Sequence, residues 1–355
     1  MTTNESKRKK IASFDSDGVL SASGNIFGLP FNLKESDIVL IPVPWDVTVS
    51  YKDGTSKAPE AIKKASLQLE LYDPDYKNAW HAGFFMLDTD AEIVKLNNKN
   101  RSLAKKHIKE LTENPKKNNT PDVSKINKAS AFLNAEIFKK SSELMAQGKI
   151  AAVVGGDHSS PYGLIKALTH NYDFFSVLHI DAHSDLRKAY EGFTYSHASI
   201  MYNVLQHTQV NKIVQLGVRD MGMQEAKLIE KESKRIACFS DSYIYEKSLE
   251  GFSWKDIVNN IIEHLAPHVY ISFDIDGLSP DLCPNTGTPV PGGLNFREIT
   301  LLLKTLVANG RKIIGFDLCE TGVSSNEWDE NVSARILYKL CCATAVSQKL
   351  KKYKK

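Results

Sequence analysis

The chain has 355 residues, of which 42% are hydrophobic and 25% charged, with a formal net charge of +3. These are ordinary values for a globular α/β protein; no apolar run approaches the length of a membrane span. The cysteines (Cys238, Cys283, Cys319, Cys341 and Cys342) are odd in number and form no Cys-x-x-Cys pair. That argues against a disulfide framework or a zinc–thiolate site and suits a reducing compartment.

The excess lysine sits at Lys7-Arg8-Lys9-Lys10 and in a basic tail at 349–355. No aromatic residues interleave with it and no nucleic-acid motif is present, so solvated ends are expected rather than a nucleic-acid or membrane partner. The charged N-terminus lacks the apolar core of a secretory signal, so a cytoplasmic location is expected.

In chain order, residues 1–36 read as a polar N-terminal extension that wraps or frays. A single α/β domain is expected over 37–348. Its first strand is 37–43, followed by a loop through Trp45 and Asp46 and a helix opening near Ala58-Pro59-Glu60, where proline suits the first turn. A second strand is expected near 84–87. Residues 90–130 are rich in Lys and Asn and read as an insertion, with helical turns near 103–108 and a surface loop at 114–121. Residues 129–147 are helical. From 149 onward strands are expected near 150–154, 174–180, 212–217, 236–240, 268–274 and 312–318. Helices are expected near 160–169, 223–233, 254–265, 296–308 and 331–348. This alternation predicts a parallel sheet covered on both faces by helices. Ligands of such sheets bind beyond the carboxyl ends of the strands.

Each unusual polar cluster follows a predicted strand. They are Gly155-Gly156-Asp157-His158-Ser159, then Asp181-Ala182-His183-Ser184-Asp185, then Asp274-Ile275-Asp276-Gly277, and lastly Glu320. Asp181, His183 and Asp185 alternate at spacing two, so in extended backbone they face one side. The sheet would gather His158, Asp181, His183, Asp185, Asp274 and Asp276 at one cleft. Four carboxylates there repel unless cations neutralise them, and two divalent ions carry the matching charge. Mixed His and Asp ligation without Cys favours Mn²⁺, with Ni²⁺, Co²⁺ or Fe²⁺ as alternatives. Gly155 and Gly156 would let backbone approach those ions. His179, inside its strand, reads as a satisfied core histidine.

The three motifs Gly-Gly-Asp-His-Ser, Asp-Ala-His-Ser-Asp and Ser-Phe-Asp-Ile-Asp-Gly-Leu-Ser-Pro resemble the signatures of the ureohydrolases, the family of arginase, agmatinase, guanidinobutyrase, guanidine hydrolase and formiminoglutamase. The resemblance runs from about residue 36 to the C-terminal helix. It implies a three-layer α/β/α sandwich with an eight-stranded, mostly parallel sheet, matching the number of strands read from periodicity. It also implies a homotrimer or homohexamer and a dimanganese centre. His158 and Asp185 would bind one metal, His183 and Asp276 the other, and Asp181 and Asp274 would bridge. A hydroxide held between the metals would attack the guanidinium carbon, releasing urea and an amine. Asp185 would carry its proton, His197 would match the shuttle histidine, and Glu320 would grip the guanidinium.

Candidate contacts to the substrate tail are Arg187, Trp45 and Glu191, with Asp46 and Tyr190 beside them. Arg187 stands where animal-type arginases carry an Asn, and if it points inward it suits a carboxylate-bearing tail such as arginine, guanidinobutyrate or formiminoglutamate. If it points outward, agmatine is equally acceptable. A member of the family retained for metal binding or assembly alone would have lost a ligand, and none is lost here.

Overall fold

The computed structural model describes residues 2–21, 24–115 and 120–350. Residues 116–119 of the loop expected at 114–121, and 351–355 of the basic tail, lie outside the described residues.

The strands are β1 (Ile38–Val43), β2 (Phe84–Met86), β3 (Ile150–Gly155), β4 (Phe175–Ile180), β5 (Val210–Leu216), β6 (Ile236–Phe239), β7 (His268–Phe273) and β8 (Lys312–Leu318). They form one eight-stranded sheet in the order β2-β1-β3-β8-β7-β4-β5-β6, and every pairing is parallel. β1 and β4 are buried along their whole length, as unbroken apolar runs in a doubly covered sheet require.

The helices are α1 (Thr3–Ser13), α2 (Ala58–Ala65), α3 (Ala91–Glu113), α4 (Pro121–Ala146), α5 (Tyr162–Leu168), α6 (Ile200–Leu205), α7 (Met223–Lys231), α8 (Asp241–Leu249), α9 (Trp254–Glu263), α10 (Phe296–Ala308) and α11 (Trp328–Ser347). One apolar core lies between the sheet and α2, α9, α10 and α11. The other lies between the opposite face and α3, α4, α5 and α6. Alternate strand residues feed the two cores, Leu40 into the first and Val39 into the second.

The segment ahead of β1 wraps rather than frays. Thr2 caps α1 in a reciprocal capping box with Glu5. Ile11, Ile26, Phe27, Leu29 and Phe31 join the first core. α1 escaped sequence detection because charge surrounds it and only Lys7 and Ile11 are buried. The Lys/Asn-rich stretch holds far more helix than the few turns expected: α3 runs for 23 residues and packs beside α4.

Candidate metal centre and substrate cleft

The site assembles at the carboxyl ends of β3, β8, β7 and β4, which are consecutive in the sheet. The turn after β3 lies flat against the loop after β1, with Gly156 N–H donating to Val43 O at 2.9 Å and Asp157 N–H to Trp45 O at 2.7 Å. A Cβ at Gly156 would come within 1.9 Å of Trp45 O, and one at Gly155 within 2.5 Å of Cys319 Sγ. These glycines therefore allow close packing of the turn against Trp45 and Cys319.

His158 lies at the centre. Its Nδ1 is 2.9 Å from Asp181 Oδ2, 3.0 Å from Asp185 Oδ2 and 3.4 Å from Asp274 Oδ2. Its Nε2 is 2.9 Å from Ser272 Oγ, whose own proton goes to Asp317 Oδ2 at 2.9 Å. Ser272 must then accept from Nε2–H, which leaves Nδ1 as the ring nitrogen turned toward the carboxylate cluster. Asp317 is held by Tyr270 Oη at 2.7 Å and by the Phe273 N–H at 3.1 Å.

The stretch after β4 supplies the rest. Asp181 Oδ1 accepts the His183 N–H at 2.6 Å, and Asp276 Oδ2 lies 3.2 Å from His183 Nδ1. Gln215 Nε2 donates to His179 Nδ1 at 3.1 Å, so the His179 proton sits on Nε2 and goes to Asp181 Oδ2 at 2.8 Å. His179 is a satisfied core histidine, and it also orients Asp181. Asp185 and Glu320 carry φ of 52° and 61°. Such left-handed geometry costs non-glycine residues on the order of 1–3 kcal/mol, and both fall at the site.

Among the described residues, two groups of side chains have the spacing to hold a cation: His158, His179, Asp181 and Asp185, and Asp181, His183 and Asp276. Asp181 belongs to both, the position a bridging carboxylate would take. Asp274 falls in neither group; its Oδ1 accepts the Asp276 N–H at 2.8 Å.

Burial, then Asp276, Asp181 and Glu320, hold Asp274 well above the usual carboxylate range. Burial and then Asp181 push Asp185 up to about 6. Burial disfavours a proton on His183, yet Asp276 and Asp181 outweigh it and raise the ring to about 12. With protein groups alone, imidazole protons supply the positive charge this cluster needs. A divalent ion would supply it instead and displace them. The buried, unpartnered His183 Nε2 and Glu320 Oε2 are the other signs that the protein alone leaves the centre incomplete.

A cavity of about 160 Å³ opens onto this centre. His158, His183, Asp185, Asp274, Asp276 and Glu320 line its base. Glu320 Oε1 accepts the His158 N–H at 3.0 Å, while Oε2 has no partner. His197 lines the same cavity. Thr48 Oγ1 accepts the His197 N–H at 3.1 Å and lies 3.2 Å from its Nδ1. Burial, then His183 and His158, lower His197 to about 3, leaving the ring neutral.

Of the expected tail contacts, Arg187 and Tyr190 reach the cavity wall and stack, with the guanidinium carbon 4.9 Å from the ring centroid. Trp45 does not reach it: the ring is fully buried in the second core. Asp46 is likewise internal, closing its own loop onto Gly54 and Ser56. Glu191 lies off the wall, its carbonyl accepting from His107 Nε2 at 2.9 Å. Sequence reading passed over Ser272, Asp317, Gln215 and Thr48. Asp317 and Ser272 carried a signal, being polar residues in the middle of otherwise apolar strands.

The fold is a three-layer α/β/α architecture, and its carboxyl edge carries a His/Asp cluster that could hold metal ions. The arginase family model matches residues 36–344, and the chain belongs to the arginase family. It is accordingly a ureohydrolase, acting on C–N bonds of linear amidines. Among similar proteins, the N(1)-aminopropylagmatine ureohydrolase of Thermus thermophilus is 31% identical over 305 residues, covering 86% of this chain and 89% of that one. The agmatinase of Halalkalibacterium halodurans is 28% identical over 301 residues, covering 84% and 88%. The solved structure of proclavaminate amidino hydrolase from Streptomyces clavuligerus matches with a TM-score of 0.71 at 21% identity, covering 93% of this chain and all of that one. Among the described residues no helix is long and apolar enough to cross a membrane.

Proposed function

We propose that this chain hydrolyses the guanidino group of a small amine-tailed compound of the agmatine type to urea and an amine, using two divalent metal ions. The observation that carries the reading is Glu320 Oε2, a buried and unpartnered carboxylate oxygen in the same cavity as the ligand set. A planar guanidinium offers paired N–H donors to such a group.

His158, Asp181, His183, Asp185, Asp274 and Asp276 would hold the ions, with Mn²⁺ the expected metal. When bound, the ions would neutralise the carboxylates and supply a water acidic enough to lose its proton near neutral pH. Glu320 orients the guanidinium over the centre and fixes which nitrogen leaves. Asp185 carries a proton to the departing nitrogen. His197, neutral and held by Thr48, passes protons between the cavity and the leaving amine.

Two observations support an amine tail. Similar proteins bear the names agmatinase and N(1)-aminopropylagmatine ureohydrolase. Arg187 is engaged by the Tyr190 ring and by Glu225, whose Oε2 is 3.6 Å from its Nε, while exposed Asp220 adds negative charge to the same wall. Both lower the attraction for a carboxylate tail. A homo-oligomer in the cytoplasm completes the proposal.

The test is urea release by Mn²⁺-loaded protein from agmatine, N(1)-aminopropylagmatine, arginine, 4-guanidinobutyrate and guanidine, with formiminoglutamate assayed for formamide. Turnover of an amine-tailed substrate at least about tenfold above arginine is expected, a difference of about 1.4 kcal/mol. Preference for a carboxylate tail would overturn the substrate assignment, and no turnover with metal bound would overturn the catalytic one.

A further inference from the structure

Asn97, Arg101 and Lys105 are spaced four apart on α3 and so form one stripe along the helix. That stripe faces the loop between β1 and α2. Asn97 Oδ1 accepts the Asp46 N–H at 2.8 Å, and its Nδ2 donates to Asp46 Oδ1 at 3.1 Å. Arg101 Nη1 donates to Val47 O at 3.1 Å and to Val49 O at 2.5 Å, bracketing Thr48. Lys105 and Arg101 both pair with Asp53. The same helix pair reaches the second loop of the cleft. His107 donates to Glu191 O, and Asn127 of α4 bonds both Gly192 O at 3.1 Å and Thr194 N at 2.9 Å.

The two loops meet at Thr48. Its hydroxyl donates to Asp157 Oδ2 at 3.1 Å, accepts the His197 N–H and lies beside the His197 ring. A guanidinium holding the carbonyls on either side of Thr48 therefore fixes where that hydroxyl stands, and with it His197. Arg101 itself does not line the cavity.

We propose that α3 and α4 form a clamp on the two cleft loops, with Arg101 as a positioning residue that acts on turnover through Thr48 and His197. The stretch that reads in sequence as a Lys/Asn-rich insertion thereby holds the two cleft loops in place. The kinetic arm of the test rests on the proposed ureohydrolase reaction, and the exchange arm does not.

The experiment uses the full chain loaded with Mn²⁺. Arg101→Gln lowers kcat about ten- to a hundredfold, the scale of misplacing a reacting group from a distance, while KM moves less than about threefold and metal content holds. Thr48→Val gives a similar loss and Thr48→Ser restores most of it. The Arg101→Gln/Thr48→Val double variant loses no more than the worse single, because both act on one chain of contacts. Additive losses, or a lowered Tm with kcat intact, would overturn the proposal. Amide hydrogen exchange in residues 46–56 and 187–197 rises in Arg101→Gln without any substrate. Should that variant not fold, Asn127→Ala raises exchange in 187–197, and unchanged exchange there overturns the clamp. If wild-type protein hydrolyses no guanidino compound, the substrate reading fails and the exchange result alone decides this one.

Discussion

The two ends of the sheet both bury charge, and they treat it in opposite ways. At the amino end, just before β1, β2 and β3, each ammonium has its partners within the chain. Lys7 Nζ donates to Asp37 Oδ2 at 3.1 Å and to Ala82 O at 2.7 Å. Lys10 pairs with Glu35 at 2.6 Å, and Lys149 donates to Leu33 O and Ser36 O at 2.7 Å each. At the carboxyl end, Asp181, Asp185, Asp274, Asp276 and Glu320 converge at the cavity, and the ion-pair partners of the aspartates there are histidines. A balanced cluster is complete within the chain and serves the fold. An unbalanced one calls for something from outside, which under the proposed function is metal ions and a cationic substrate.

The largest break in this contrast is expected from removing a ligand. Asp274→Asn should cut urea release more than about a hundredfold, beyond the range usual for residues that merely support a ligand. Metal per chain should fall with it. Because one buried carboxylate is gone, the chelated variant should unfold no lower than chelated wild type. Retained metal and turnover would remove Asp274 from the centre. Glu320→Gln should come next, with kcat down about a hundredfold, as when one preorganised electrostatic partner is lost. Metal content should stay unchanged, since Glu320 is assigned to substrate. Lost metal would reassign it as a ligand.

Chelation should be felt as stability. An ion present at a hundred times its Kd stabilises the folded state by about 2.7 kcal/mol. EDTA should therefore lower Tm by several degrees and Mn²⁺ should restore it. A Tm indifferent to both would show that the carboxyl end needs no cation.

The contrast also explains what could be read from the sequence. The strands were legible because doubly covered parallel strands are unbroken apolar runs: 38–43 and 312–318 stand where expected. The fold was legible for the same reason, and the ligand candidates because charge directly after such a run is expensive to bury. What lay hidden depends on contacts between distant segments. The bond from Ser272 to His158 and the fixing of Thr48 by Arg101 join residues 114 and about fifty positions apart. Trp45 was misjudged because an aromatic residue in a loop near a cleft looks the same in sequence whether it faces solvent or core. Arg187 was ambiguous because its direction is set by Glu225, on a helix 38 positions further along.

The smallest effect is expected at the balanced end. Burial lowers the Lys7 pKa from 10.5 in spite of Asp37, so its ammonium gains less from its partner than it loses by leaving water. Asp37 stays 38% exposed at the side chain and can be solvated without it. Lys7→Met then loses chiefly the bond to Ala82 O, about 0.5–1.5 kcal/mol, and kcat stays at the wild-type value. The pH dependence has a definite sign. Between the lowered folded pKa and 10.5 the unfolded chain holds more protons at this residue than the folded one, so its contribution to stability rises with pH in that window. Denaturant melts of wild type and Lys7→Met should therefore diverge in favour of wild type as pH climbs toward 10.5. A loss above about 3 kcal/mol at neutral pH would mean that this end, too, depends on an unreplaceable charge, and the contrast between the two ends would fail.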